Sequence, residues 1–199
     1  MQSRLLSKMP TWMLRFLGLE SRSTVKSTVA IRRGSREMFD RAIEFVLLYE
    51  GGYVDDPADA GGETKYGISK KQYPNVDIKN LTLTQAKEIY YRDYWLKFHC
   101  DKMPWPLAMV MFDCYVQFNP INPNRWLQSA LLLTPDGILG PRTIEGARTA
   151  RKPLHAARSI LLARTDYRFT RPNFGRFGRG WTRRDISLMF EAGRGWDGE

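Results

Sequence analysis

Glu50 stands where a run of apolar residues at helical spacing meets two glycines, a place where a carboxyl group can move a proton. Cleaving a glycosidic bond needs a carboxylic acid beside the leaving oxygen. It usually also needs a second carboxylate that stays ionised, to steady positive charge or activate water. Such an acid must hold its proton unusually well, and partial burial against apolar groups brings that about. Val46, Leu47 and Tyr49 would exclude water from Glu50, and the negative end of the helix dipole acts in the same direction. Gly51 and Gly52 leave the side chain open to a cleft. Residues 51–68, rich in Gly, Asp and Pro, offer Asp55, Asp56 and Asp59 as second carboxylates. Asp59 is preferred, because a short hairpin can fold it back towards Glu50, and Thr64 could hold a water by its hydroxyl. Asp55 or Asp56 in that role, or no second carboxylate at all, stay open, since these aspartates also suit ordinary turns.

Other side chains could touch a sugar. Tyr53 and Tyr66, and after them Trp95, are candidates for stacking on rings, as are Tyr90 and Tyr94, although aromatics at helical spacing otherwise fill cores. Asp113 lies inside an apolar helix and reads either as a buried hydrogen-bond hub or as a cleft contact. His99 and His155 are the only histidines, so neither a metal-dependent mechanism nor a cofactor is expected. Cys100 and Cys114 suit two free thiols, with a single disulfide as the alternative.

The elements that must position these groups are nearly all helices. Phe39, Ala42, Ile43, Val46 and Leu47 form one apolar stripe, predicting a helix over 36–49 that the glycine pair ends. A loop or short hairpin follows over 51–68. Thr82 with Gln85 forms a capping box before a helix to about Phe98. Pro104 and Pro106 open a helix to about Phe118, and Pro123 opens one to about Leu133. A turn at Asp136-Gly137 leads to a helix from Pro141, and two more helices are expected over 153–168 and 180–192. The fold class is therefore mainly α with a short β-hairpin or loop after the catalytic helix. Residues 1–35 read as a basic amphipathic extension, apolar at Leu5, Leu6, Met9, Trp12, Met13, Phe16 and Leu17, followed by a linker. Residues 36–118 read as a catalytic region and 119–199 as a helical region packed against it.

The run from Glu50 to Ser69 resembles the signature of glycoside hydrolase family 108, which contains phage endolysins and related N-acetylmuramidases. The likeness continues through Leu81-Thr82, Gln85-Ala86, Ile89 to Trp95, Met111 to Asp113, Trp126 to Gln128, Asp136 to Pro141 and Gly180 to Arg184. It implies a lysozyme-like helical fold with the glutamate of the Glu-Gly-Gly-Tyr motif, Glu50, as catalytic acid. It also implies a companion peptidoglycan-binding region carrying Gln128 and the Asp136–Pro141 turn. The order Glu50, Asp59, Thr64 is similar to that of phage-type lysozymes, with the Asp-to-Thr gap one residue shorter. Where the family usually has Asn followed by small residues, this chain has Gln117-Phe118-Asn119-Pro120. Gln117 is then the expected substrate contact, and Phe118 would reshape the cleft floor.

The resemblance implies a muramidase, an endolysin or virion-associated lysin, hydrolysing the β-1,4 link between N-acetylmuramic acid and N-acetylglucosamine in peptidoglycan. A lytic transglycosylase acting on the same wall is the first alternative. The second is a virion structural protein that kept the fold, suggested by the long basic arm and the Gln117-Phe118 departure. Charge is uneven along the chain: residues 1–36 carry eight Lys or Arg against Glu20 alone, and residues 148–184 carry eleven against Asp166 alone. Basic surfaces attract polyanions. The Arg164–Arg184 tract is therefore expected to face the anionic wall, with nucleic acid as the weaker reading. Residues 1–35 suit docking to a virion protein or a membrane surface. No secretory signal or spanning helix is read, so the protein is expected to reach the wall from the host cytoplasm or inside a phage particle.

Overall fold

The computed structural model describes the backbone of residues 22–50 and 62–194, with side chains from residue 34 onward. Tyr53, Asp55, Asp56, Asp59 and the apolar positions between Leu5 and Leu17 lie outside the described residues. Residues up to Glu37 belong to one unit and those from Met38 onward to another. In the first, the described stretch is helical.

The described part holds seven α-helices and one two-stranded hairpin, the mainly α class expected. They are α1 (Arg22–Tyr49), β1 (Thr64–Lys65), β2 (Ile68–Ser69), α2 (Leu83–Tyr90), α3 (Trp105–Gln117), α4 (Ile121–Ala130), α5 (Pro141–Arg148), α6 (Pro153–Phe169) and α7 (Phe174–Gly193). A π-helical turn, Tyr91–Leu96, continues α2, and a 3₁₀ turn, Cys100–Lys102, precedes α3.

Helix α3 explains the architecture of the second unit. Every residue from Trp105 to Tyr115 is buried, so α3 needs cover on all sides. The α1 stripe supplies part of it: Phe39 packs edge-on against Phe112 and Trp95, at 5.7 and 5.8 Å between ring centres. The α6 stripe of Ala157, Ile160 and Leu161 supplies another part. On α4, Gln128 fixes the following turn: its carbonyl oxygen accepts from Gly137 N–H at 2.8 Å, and its amide donates to Asp136 at 2.6 Å and to Ile138 O at 3.0 Å. Gly137 adopts φ +84°, the left-handed backbone that favours glycine. Cys100 and Cys114 are buried, free thiols, and burial pushes both above the ordinary thiol pKa.

Three boundaries differ from expectation. The stretch read as a linker is helical from Arg22, for it holds no proline and only Gly34 to weaken a helix. Helix α7 starts at Phe174 rather than 180, through Gly175, Gly178 and Gly180. The gain is packing: a Cβ at Gly178 would lie 2.7 Å from the Phe174 ring, so only glycine lets that ring close on the helix. Helix α4 begins at Ile121, two residues before Pro123, and ends at Ala130.

Candidate active site

Helix α1 ends at Tyr49, and the Glu50 N–H still donates to Val46 O at 3.1 Å, so the last helical bond fixes the backbone of the glutamate. Its side chain is 22% exposed. The β-hairpin closes over it. Lys65 pairs with Ile68, and the two-residue turn between them, Tyr66-Gly67, has φ values of +52° and +75°. Two consecutive positive φ values make the tight turn whose twist matches the strands. Gly67 sits directly on the acid: a Cβ there would lie 2.8 Å from Glu50 Oε2 and would also collide with the Tyr90 hydroxyl. Glycine is required here by both conformation and space. The Tyr90 hydroxyl donates to Tyr66 O at 3.0 Å, which ties the turn to α2.

Glu50 and Gly67 line a groove of about 640 Å³. Tyr73, Tyr90 and Tyr94 form an aromatic wall, Asp93 and Lys97 add charge, and Gln117 and Phe118 border it from the end of α3. Tyr73 donates to Asp93 at 3.0 Å, and Gln72 donates to the Tyr94 hydroxyl at 2.6 Å. The hydrogen bond from Arg92 holds the Asp93 carboxyl below its ordinary value, so it is ionised at neutral pH. Burial raises the Tyr90 phenol, and the nearby Glu50 charge adds to this, so it stays a neutral donor. The groove thus offers an acid, apolar ring faces and fixed polar groups, a set of contacts that suits a sugar chain.

Beneath the acid lies a buried ionic network. Arg184 Nη1 lies 3.3 Å from Glu50 Oε1, while its Nε and Nη2 donate to Asp113 Oδ1 at 3.0 and 2.6 Å. The Arg184 guanidinium also stacks 4.9 Å over the Tyr49 ring. The other Asp113 oxygen accepts from Arg164 at 2.6 Å. Arg164 continues to Asp185 at 2.8 Å, and Arg168 meets Asp185 at 2.7 Å. Both arginines donate to the Gln117 side-chain oxygen. Three arginines are thus shared among Asp113, Asp185 and the Glu50 carboxyl group, the pairing that burial demands. Burial alone would raise the Asp113 carboxyl, but Arg164 and Arg184 outweigh it and hold it below the ordinary value.

Of the expected site residues, Glu50 and Gln117 line the groove together. Trp95 does not: it is fully buried against Phe39 and Phe112, because its place in the stripe facing α3 leaves no ring face open. Asp113 is also fully buried and spent on two guanidiniums, so the hub reading holds and direct substrate contact is corrected. Tyr66 packs its ring on the core and offers its carbonyl to Tyr90. Thr64 lies in β1, its hydroxyl donating to Gly62 O at 3.1 Å. The tract expected to face the wall splits: Arg164, Arg168 and Arg184 are buried in the network, while Arg171, Arg176, Arg179 and Arg183 remain exposed. A signal for the buried set was present, since Arg164 and Arg168 continue the α6 stripe of Ala157, Ile160 and Leu161.

Helices packed around a buried central one, with a glutamate at a helix end under a hairpin, form the arrangement expected of a lysozyme-like fold. Residues 43–118 match the family model described as Glycosyl hydrolase 108, which supports a glycoside hydrolase acting on a glycan. The solved structure of SagA from Brucella abortus is similar at a TM-score of 0.67 and 28% identity, over 79% of this chain and 94% of that one. A comparison with curated proteins found no match. Arg164, Arg168, Arg184 and Asp185 all lie beyond the matched residues and still complete the site. Among the described residues, no helix is long and apolar enough to cross a membrane.

Proposed function

We propose that this protein is a peptidoglycan muramidase that hydrolyses the β-1,4 bond between N-acetylmuramic acid and N-acetylglucosamine. The observation that carries the reading is Glu50, held at a helix end between the hairpin tip and Arg184, with part of its carboxyl open to a sugar-sized groove. Glu50 protonates the glycosidic oxygen as the bond breaks. Asp59, in the segment joining Glu50 to the hairpin, stabilises the cationic transition state or orients water, with Thr64 at that segment's far side. Gln117 has its side-chain oxygen occupied by Arg164 and Arg168, which leaves its amide N–H groups for substrate oxygens. Tyr73 and Tyr94 supply the ring faces. The Arg side chains left exposed on α6 and α7 attract the anionic wall.

A wall-digestion gel comparing wild type with Glu50→Gln tests the acid: the variant keeps the shape but loses the titratable proton, and clearing should vanish. Mass spectrometry of the digest then tests the bond. Reducing N-acetylmuramic acid ends are expected, and 1,6-anhydro ends would replace hydrolysis by transglycosylation. Equal clearing by both proteins would falsify the acid assignment and favour a wall-binding structural role.

A further inference from the structure

Glu50 has one charged partner among the described residues, and that partner is shared. Arg184 gives two short hydrogen bonds to Asp113 and only one long contact, 3.3 Å, to Glu50. Asp113 is wholly enclosed and is anchored from its other side by Arg164 at 2.6 Å. The guanidinium is therefore held in place whether or not Glu50 carries a charge. Its stacking on Tyr49 fixes the plane of the fork as well. The other described groups facing the acid are the Tyr90 phenol from α2, committed to Tyr66 O, the Tyr94 phenol from the π-turn, which accepts from Gln72, and the uncharged hairpin tip at Gly67.

We infer that Arg184 and Asp113 form a positioning couple that sets the pH range over which Glu50 can act as the acid, with Asp113 limiting how much of the Arg184 charge the glutamate feels. The inference rests on the muramidase reading of Glu50. A cation beside a carboxyl favours the ionised form, whereas a general acid must begin protonated. An unshared arginine would strip the proton too early, and a missing one would leave the carboxylate produced by proton transfer without a counter-charge. Asp113 draws most of the guanidinium's donors to itself and leaves one nitrogen poised at the acid. Neither residue touches the reacting atoms, and both act through Glu50.

The couple makes two opposite demands on one measurement, the alkaline limb of the pH–activity profile, where the acid loses its proton. In Arg184→Met the cation beside the acid is gone, and the limb moves up. In Asp113→Asn the counter-charge is gone, Arg184 acts on Glu50 alone, and the limb moves down. Arg184→Lys keeps the cation without the fork, so its limb should stay nearer wild type while turnover falls. Rates are read on solubilised wall fragments, with thermal unfolding run on each variant. A merely structural network would lower activity in all three without moving the limbs apart. If Asp113→Asn does not fold, the Arg184→Met limb decides alone, and a limb within error of wild type overturns the couple. Activity retained by Glu50→Gln would instead overturn the underlying assignment along with it, so the two failures are told apart.

Discussion

At the scale of single residues the site is set by close approach and by charge. Gly67 shows the first. Alanine there must adopt φ +75°, strained by about 1 kcal/mol or more, and its Cβ would lie 2.8 Å from the Glu50 carboxyl. The buried Tyr90 hydroxyl has no room to give, so the acid would move instead. Gly67→Ala should cut kcat by about tenfold or more while the melting temperature falls only a few degrees. Wild-type turnover in a folded variant would show that the hairpin tip does not set the acid. Asp113 shows the second. Its pKa is lowered by folding, so its contribution to stability is complete above the ordinary carboxylate value and fades as pH falls towards the folded value. Asp113→Asn should therefore be strongly destabilised at neutral pH, by about 3 kcal/mol or more, and the gap to wild type should narrow below about pH 4. Thermal melts of both proteins from neutral to acid pH measure that gap. Glu50 and Gln117 were legible in sequence because local pattern and motif mark them. Arg184 was not, because its partner Glu50 lies 134 residues away and no local periodicity encodes such a pairing.

At the scale of elements, local signals placed most helices and failed where tertiary packing overrides them. The Thr82–Gln85 capping box is present in full: the Thr82 hydroxyl accepts from Gln85 N–H at 3.2 Å, and the Gln85 side chain accepts from Thr82 N–H at 2.8 Å. Thr82→Ala should cost about 1 kcal/mol and lower the melting point by about 3 °C, with activity kept, since the cap is exposed and lies at the far end of α2 from Tyr90. No shift in the melt would mean that packing alone holds α2. The continuation of α2 was expected, but its widening into a π-turn over Tyr91–Leu96 was not. No residue type signals that change, and it presents Asp93 and Tyr94 to the groove, a placement common for such turns at functional sites. The start of α7 was hidden by three glycines, whose low helix propensity is outweighed by the stacking of Phe174, Phe177 and Trp181.

At the scale of the whole molecule, the excess of positive charge divides into two uses. The sequence has a formal net charge of +10, with eleven basic residues between 148 and 184. Three of these, Arg164, Arg168 and Arg184, are buried in the network that holds Glu50 and Gln117, where their charge is directed at the carboxyl groups they pair with rather than at the surface. The other eight are exposed, and Arg148 among them is paired with Glu145. Mean composition could not separate the two groups, because burial is decided by which face of α6 and α7 meets α3. The division predicts different responses to salt. Exposed charges are screened over about 8 Å at physiological ionic strength and over about 3 Å near 1 M, whereas a dry ion network is screened far less. Activity on intact anionic walls should therefore fall severalfold as salt rises from about 0.05 to about 0.5 M, through weaker attraction to the surface. Cleavage of a short uncharged chitin-type oligosaccharide, if accepted as substrate, should stay nearly constant, since the buried pairs that hold the acid persist. Parallel loss on both substrates would mean that salt reaches the network itself, and would place the wall-attracting role elsewhere than on the exposed arginines.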